Sequence, residues 1–346
     1  MNTISVAIIA DDLSSAADAA APFLPKGLTA RVGRKLVPLE PSDVVAVDVG
    51  SRSMPEPDAA SAVRVATAAL NRAQIVFKTV DSTLRGHAKA EISAAFEASG
   101  RSRLIFAPAF PAAGRVTVNG IQYVDSTPVH LSHYRKDPVN PVSTSRLSDL
   151  LPANATQAIV FDAQSQEDLN RQVREFSEPE TALWVGSPGL ALALAARIGR
   201  PGRRVSMSRA SGQCLVVVGS ANPVSHRQAA KLNSNATVVL KAPEKRLANH
   251  DRVLSDLADK AVVALRSGRF GALLATGGDT MDAILDRIGA PSFKLCGEFA
   301  PGCPVGQAEI DGRTLLIGMK AGGFGDEDTL RQAVDTLTPR KQDQAS

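Results

Sequence analysis

Short apolar runs recur along the chain, each followed by a segment with helical spacing, and this alternation limits the architecture more than any other feature. "SVAIIA" (5–10), "VVAVDVGS" (44–51), "QIVFKTV" and "RLIFAPAF" are such runs, and "SSAADAAAPFL", "EPDAASAVRVATAALNRA" and "AKAEISAAFEASG" are the segments between and after them. An apolar run without a period of two suits a strand covered on both faces, as in a parallel sheet. The helical segments supply the crossovers that parallel strands need. The pattern resumes in "QAIVFDAQSQEDLNRQVREF", "TALWVGSPGLALALAARI", "CLVVVGSANPVSHRQAAKL", "FGALLATGGDTMDAILDRIG" and "LLIGMKAGGFGDEDTLRQAVDTL". The fold class expected is α/β, with ligands at the carboxyl ends of the strands.

Two stretches break the pattern. From Pro108 to about Pro141 the chain carries prolines, glycines and isolated polar groups, with alternating apolar positions (Val116, Val118, Ile121, Tyr123, Val124) that predict a hairpin. Residues 199–213, "GRPGRRVSMSRASGQ", read as a linker. A chain of 346 residues is too long for one ordinary core. We expect two domains, 1–205 and 206–346, each a mostly parallel sheet flanked by helices, and a frayed tail in "TPRKQDQAS".

Composition narrows the class of function. Thirty-nine basic and 35 acidic residues leave a net charge of only +4, without a basic block, so a nucleic-acid partner is not expected. The three cysteines (Cys214, Cys296, Cys303) stand apart, which argues against a disulfide framework or a zinc site. No run approaches the roughly 18 apolar residues of a membrane span, and no signal-peptide pattern opens the chain. The location expected is cytoplasmic, away from any membrane.

The residues that invite chemistry fall at the ends of the apolar runs. Asp11 and Asp12 end the first; either a helix cap or a carboxylate that takes a hydroxyl proton or a cation would account for them. Lys78, Asp81, Ser82 and Arg85 lie at the end of the third run. Lysine and arginine there suit a carboxylate, Asp and Ser suit sugar hydroxyls, and the plainer alternative is a solvated turn with an Asp–Arg pair. Arg115 in the long loop is a second anion candidate, and His87 could reach a ligand. In the C-terminal half three turns carry glycine between a run and a helix: Gly219–Ser220, Gly277–Gly278–Asp279–Thr280, and Gly322–Gly323 with Gly325. Glycine lets backbone N–H groups approach an anion, so three such turns on one sheet edge favour a nucleotide. Neither the Walker A pattern nor G-x-G-x-x-G is present, which counts against a dinucleotide-dependent dehydrogenase, and no G-x-S-x-G elbow supports a serine hydrolase.

Taken in order, "IIADDLSSAADAA", "FKTVDSTLRGHAKAEI", "FAPAFPAAGRVTVNGIQYVDSTPV", "VVVGSANPVSHRQ", "ATGGDTMDAIL" and "MKAGGFGDEDTL" closely resemble the four-carbon acid sugar kinase family, over about residues 5 to 335. The resemblance implies an N-terminal domain for the acid sugar, a C-terminal domain for ATP, an active site in the cleft between them, and transfer of the γ-phosphoryl to the 4-hydroxyl. The D-S-T-L-R-G form is more similar to the threonate and erythronate kinases than to the 3-oxo-tetronate branch. Carried over on matching positions, the family's Asp-Asp falls on Asp11 and Asp12, of which we expect Asp12 as the catalytic carboxylate that accepts or orients the 4-hydroxyl proton, with Asp11 second. Asp11, Lys78, Asp81, Ser82 and Arg85 would bind substrate, and Arg115, the anion candidate of the long loop, is expected to join them. Ser220, Gly277, Gly278, Asp279, Thr280, Gly322, Gly323 and Gly325 would bind ATP with Mg²⁺. A homodimer is compatible with it. The chain departs from the family pattern at Ser14–Ser15 (commonly Thr-Gly), at His87 (often Asn), and in a shortened segment before "ATGGDT". The shortening motivates an alternative, a nucleotide- or sugar-acid-binding protein of this fold without catalysis.

Overall fold

The first apolar run is buried at every position of β1 (Val6–Ala10), and the reason is visible in its neighbours. In the computed structural model β1 lies between two parallel partners, β3 (Val44–Asp48) and β4 (Ile75–Thr79), with helices over both faces. The model describes residues 4–35, 40–137, 139–199, 209–232, 237–244, 250–300 and 302–338. The chain divides into two compact units, 1–203 and 204–346. The expected boundary at 205/206, residues 200–208 of the expected linker and residues 339–346 of the expected tail lie outside the described residues.

Unit 1 is built from β1, α1 (Leu13–Ala20), β2 (Ala30–Arg34), β3, α2 (Glu56–Leu70), β4, α3 (Ala88–Ser99), β5 (Arg103–Ala107), β6 (Arg115–Val118), β7 (Ile121–Val124), β8 (Thr127–Pro128), β9 (Ala158–Val160), α4 (Gln166–Glu175), β10 (Ala182–Gly186) and α5 (Pro188–Ile198). Its main sheet runs β2-β3-β1-β4-β10-β5-β9, parallel throughout. From β1 the chain passes out to β2; from β3 it crosses β1 to reach β4. Such a reversal opens a crevice at the carboxyl edge, the usual place for ligands in an open α/β sheet. Strand β2, "ARVGR", is absent from the apolar runs because two arginines and a glycine interrupt it, yet every position except Arg31 is buried. The expected hairpin is β6–β7, antiparallel, with Val118 opposite Ile121.

Unit 2 contains β11 (Gln213–Val218), α6 (Pro223–Ala230), β12 (Thr237–Lys241), α7 (His250–Arg266), β13 (Phe270–Thr276), α8 (Gly278–Arg287), β14 (Ser292–Ala300), β15 (Cys303–Ile310), β16 (Arg313–Lys320) and α9 (Thr329–Leu337). Strands β12-β11-β13-β16 are parallel in that order, and β15 and β14 continue as an antiparallel meander. The carboxyl ends of β11, β13 and β16 therefore lie side by side, each followed by one of the glycine turns. Among the described residues no helix is long and apolar enough to cross a membrane.

Candidate active site

Three adjacent strand ends in unit 1 bring the acidic and basic groups together. Asp11 and Asp12 follow β1, a short helical turn (Ser51–Ser53) follows β3, and the loop Val80–His87 follows β4. Arg52, from the second of these, is the organising group. Its Nε donates to Asp11 Oδ2 at 2.8 Å, its Nη1 pairs with Asp12 Oδ2, and its Nη2 donates to Ser15 Oγ at 3.4 Å. Its backbone N–H also donates to the Asp11 carbonyl at 3.2 Å. Ser15 is one of the two serines that stand where the family pattern has Thr-Gly, so this departure adds an acceptor to the Arg52 site. Asp12 also caps α1, its Oδ1 accepting from the Ser15 N–H at 2.6 Å.

The two carboxylates differ in how they hold their protons. Burial opposes charge on both. For Asp11, Arg52 and Lys78 outweigh that cost and hold the carboxyl below its usual range. For Asp12 burial wins, with the charge of Asp11 adding to it, and the carboxyl is pushed up although Arg52 and the Ser15 N–H counter it. Arg52, partly buried among three carboxylates (Asp11, Asp12, Asp81), is held in its charged form: their charges outweigh the cost of burial. Asp11 Oδ1 is buried and has no hydrogen-bond partner among the described residues. A buried charged acceptor without a donor is costly, so this oxygen is suited to a hydroxyl or cation brought from outside.

The loop after β4 holds a second group. Asp81 Oδ2 accepts from Arg85 Nε (2.7 Å) and pairs with Nη2 (2.6 Å), while Oδ1 accepts from the Thr83 N–H and hydroxyl, each at 2.9 Å. The plainer expectation, an Asp–Arg pair within the turn, is thus met by Asp81 and Arg85. Arg85 nevertheless lies over the Tyr134 ring, 5.2 Å from its centroid, and reaches Asp137 at 3.5 Å. Arg115 donates to the Tyr134 hydroxyl at 3.3 Å and to the Ala113 carbonyl, and its Nε is buried without a partner among the described residues. Two guanidiniums therefore meet at Tyr134. The hairpin fixes the loop: the fully buried Gln122 donates to the Ser82 carbonyl at 2.8 Å and accepts from Thr117 Oγ1 at 2.6 Å. Beside the loop is a cavity of 350 Å³ lined in part by Gly86, His87 and Lys89, with Ser143, Thr144 and Asp149.

Lys78 is placed differently from the expectation that it binds substrate. Its side chain is wholly buried, with Nζ 2.8 Å from Glu91 Oε2 and donating to the Thr79 carbonyl at 2.6 Å. Ser51 Oγ donates to the other oxygen of Glu91 at 2.7 Å. The physical reason is register: Lys78 is still within β4, opposite Ile9, where a side chain points into the sheet–helix layer rather than off the strand end. Its charge acts at a distance, on Asp11. Arg52, by contrast, carries no signal in the apolar-run pattern, because it lies in the loop after β3 rather than on a strand.

In unit 2 the three glycine turns converge. A Cβ on Gly219 would overlap the Thr280 side chain, lying 2.9 Å from Thr280 Cβ, and one on Gly322 would overlap Ser220, 2.9 Å from its Cβ. Only glycine permits these approaches. Gly277 donates to the Lys320 carbonyl at 2.9 Å, and Ser220 to the Thr276 carbonyl at 3.1 Å. Asp279 lies in the first turn of α8 and does not cap it; Gly277 occupies that position. Among the described residues no group of three His, Cys, Asp or Glu side chains is placed to hold a metal ion.

Two family models match the chain: a sugar-binding N-terminal domain over residues 6–157 and a nucleotide-binding C-terminal domain over residues 244–330. The chain is 32% identical to the D-threonate kinase of Bordetella bronchiseptica over 408 aligned positions, covering 97% of this chain and 98% of that protein. Since the alignment is longer than the 346-residue chain, that relative carries several dozen residues without a counterpart here. A Bordetella bronchiseptica crystal structure, described as a domain-swapped dimer with bound citrate, is 30% identical with a TM-score of 0.51, covering 97% of this chain and 98% of that one. A Salmonella typhimurium structure described as a putative tRNA synthase shares the fold, with a TM-score of 0.80 at 20% identity over 96% of this chain and 99% of that one.

Proposed function

Because the chain belongs to the four-carbon acid sugar kinase family and is a phosphotransferase acting on a sugar acid, we propose that it transfers the γ-phosphoryl of ATP to the 4-hydroxyl of D-threonate or D-erythronate. One observation carries the assignment of roles: Arg52 braces two carboxylates at the strand edge while Asp11 Oδ1 has no donor among the described residues. Asp12, with its raised proton affinity, is the group that takes or orients the 4-hydroxyl proton, and Asp11 accepts a substrate hydroxyl. Arg85 and Arg115, joined at Tyr134, hold the substrate carboxylate, with Asp81 and Ser82 beside it. The citrate in the Bordetella crystal structure supports carboxylate recognition by this fold.

ATP suits the unit 2 turns because Gly219 and Gly322 pack the turns too closely for side chains, and the N–H groups of Gly322, Gly323 and Gly325 donate to no other group among the described residues. The residues that would hold it are Ser220, Gly277, Gly278, Thr280, Gly322, Gly323 and Gly325. Mg²⁺ that arrives with a nucleotide takes few protein ligands, and Asp279 is the carboxylate that would reach it through water. The bound nucleotide supplies the transferable phosphoryl group; the protein's share is positioning and neutralising charge.

A coupled ADP-release assay on D-threonate, D-erythronate, their enantiomers and 3-oxo-tetronate tests the reading. Turnover of one acid, with NMR locating the phosphate on C4, supports it; ADP release no higher than without an acid rejects it. The shorter chain favours one second reading, binding without catalysis, which calorimetric binding of acid or ATP without turnover would establish. The relative's domain-swapped dimer supports a homodimer here, to be read from light scattering during size exclusion.

A further inference from the structure

Lys320, the last residue of β16, is buried like Lys78 but has no carboxylate partner among the described residues. Its Nζ donates instead to three carbonyls of the following loop: Ala321 at 2.8 Å, Gly322 at 3.0 Å and Phe324 at 2.9 Å. Two neutral donors from α6 reinforce the same carbonyls. Ser225 Oγ donates to Gly322 O at 2.7 Å and Gln228 Nε2 to Phe324 O at 3.1 Å. The described peptide bonds are all trans, and a trans peptide sets its N–H opposite its carbonyl. Carbonyls of 321, 322 and 324 drawn toward the ammonium therefore turn the N–H groups of Gly322, Gly323 and Gly325 the other way. None of these three N–H groups donates to another group among the described residues.

We infer that Lys320 is the positioning residue of the nucleotide loop: its ammonium gathers the carbonyl side so that three glycine N–H groups form an outward nest for the polyphosphate of ATP. The inference rests on the proposed nucleotide reading of unit 2 and gives a role to the lysine that precedes its third glycine turn. Successive N–H groups in such a loop make an anion-binding concavity. A cation behind it, with no carboxylate partner among the described residues, strengthens the field at the phosphate. The cost of burying that charge appears in Lys320 itself, whose ammonium is pushed down to about 8 by burial.

The test compares wild type with K320M and S225A, using MgATP and inorganic tripolyphosphate as calorimetric probes and steady-state kinetics with the best acid. In K320M, Kd for both probes and KM for ATP rise at least about tenfold, while KM for the acid stays within about twofold. A general loss of fold would not split the two KM values in this way. S225A, which removes one neutral donor from Gly322 O and keeps the charge, weakens ATP about two- to fivefold and decides the matter if K320M does not fold. Wild type that binds neither probe sinks both the nucleotide reading and the inference. Wild type that binds, with folded K320M or, failing that, S225A binding equally well, overturns the inference alone.

Discussion

The ammonium of Lys78 sits 2.8 Å from Glu91 Oε2, with the lysine wholly buried and the glutamate 4% exposed. A salt bridge sealed this way gives little net stability, but removing one partner strands the other charge. K78M alone is therefore expected to cost about 3–5 kcal/mol. The double variant K78M/E91L should recover most of it, read by urea titration. Its KM for the sugar acid should stay near wild type, apart from the smaller effect of losing the positive charge behind Asp11. A rise of KM by two orders of magnitude in a stable double variant would show that Lys78 touches substrate after all.

Arg52 is the reverse case, a single cation serving two carboxylates. R52M takes from Asp11 and Asp12 the cation they share. Because the Arg52 side chain is 29% exposed, water softens the loss, and the expected cost is roughly 1–3 kcal/mol. Both carboxyls then hold protons more tightly in the folded state, so the deficit should be larger at pH 7 than at pH 4. An equal deficit at both would mean that the pairing carries no stability.

D12N keeps a side chain that caps α1 and removes a charge that burial opposes. Activity should fall about 10²–10⁴-fold if Asp12 handles the hydroxyl proton, while the melting temperature at pH 7 does not drop. In wild type, the raised Asp12 carboxyl favours folding below 3.8, and that contribution is lost as pH rises through its folded value. Asp11, held down, contributes above 3.8 and loses its contribution as pH falls. The acid limb of kcat/KM should accordingly lie above 3.8 and vanish from the residual activity of D12N.

Gly322→Ala would drive a methyl group into Ser220. The expected outcome is a loss of about 1–3 kcal/mol from overpacking, together with a higher KM for ATP and an unchanged KM for the acid. Equal shifts in both KM values would argue that the turn does not serve the nucleotide.

The order of motifs, the buried strands and the glycine turns are legible in the chain because each depends on neighbours in sequence. An unbroken apolar run such as "VAIIA" means burial on both faces, and a glycine between strand and helix means a backbone that something approaches closely. The same local logic explains the omissions. Strand β2 is held by its partner rather than by its own residues, and β14 and β15 mix polar and glycine positions that only an antiparallel meander accommodates. In α7 the buried stripe of Leu257, Ala258, Ala261, Val262 and Leu265 is helical in period, although no glycine turn flags it.

Charge partners are different in kind. Sequence alone placed lysine, arginine and carboxylates near the strand ends, but it could not tell which charges cancel, since pairing depends on strand register and side-chain direction and not on distance along the chain. Lys78 and Glu91 answer one another because β4 and α3 share a layer; Arg52 reaches Asp11 because β1 and β3 are neighbours in the sheet. Lys320 has no carboxylate partner among the described residues, its ammonium being held by three loop carbonyls. The chain's own residues determined its elements and the chemistry available to them. Which groups remain open to a ligand was decided by tertiary packing, because electrostatic compensation is a property of distance in space.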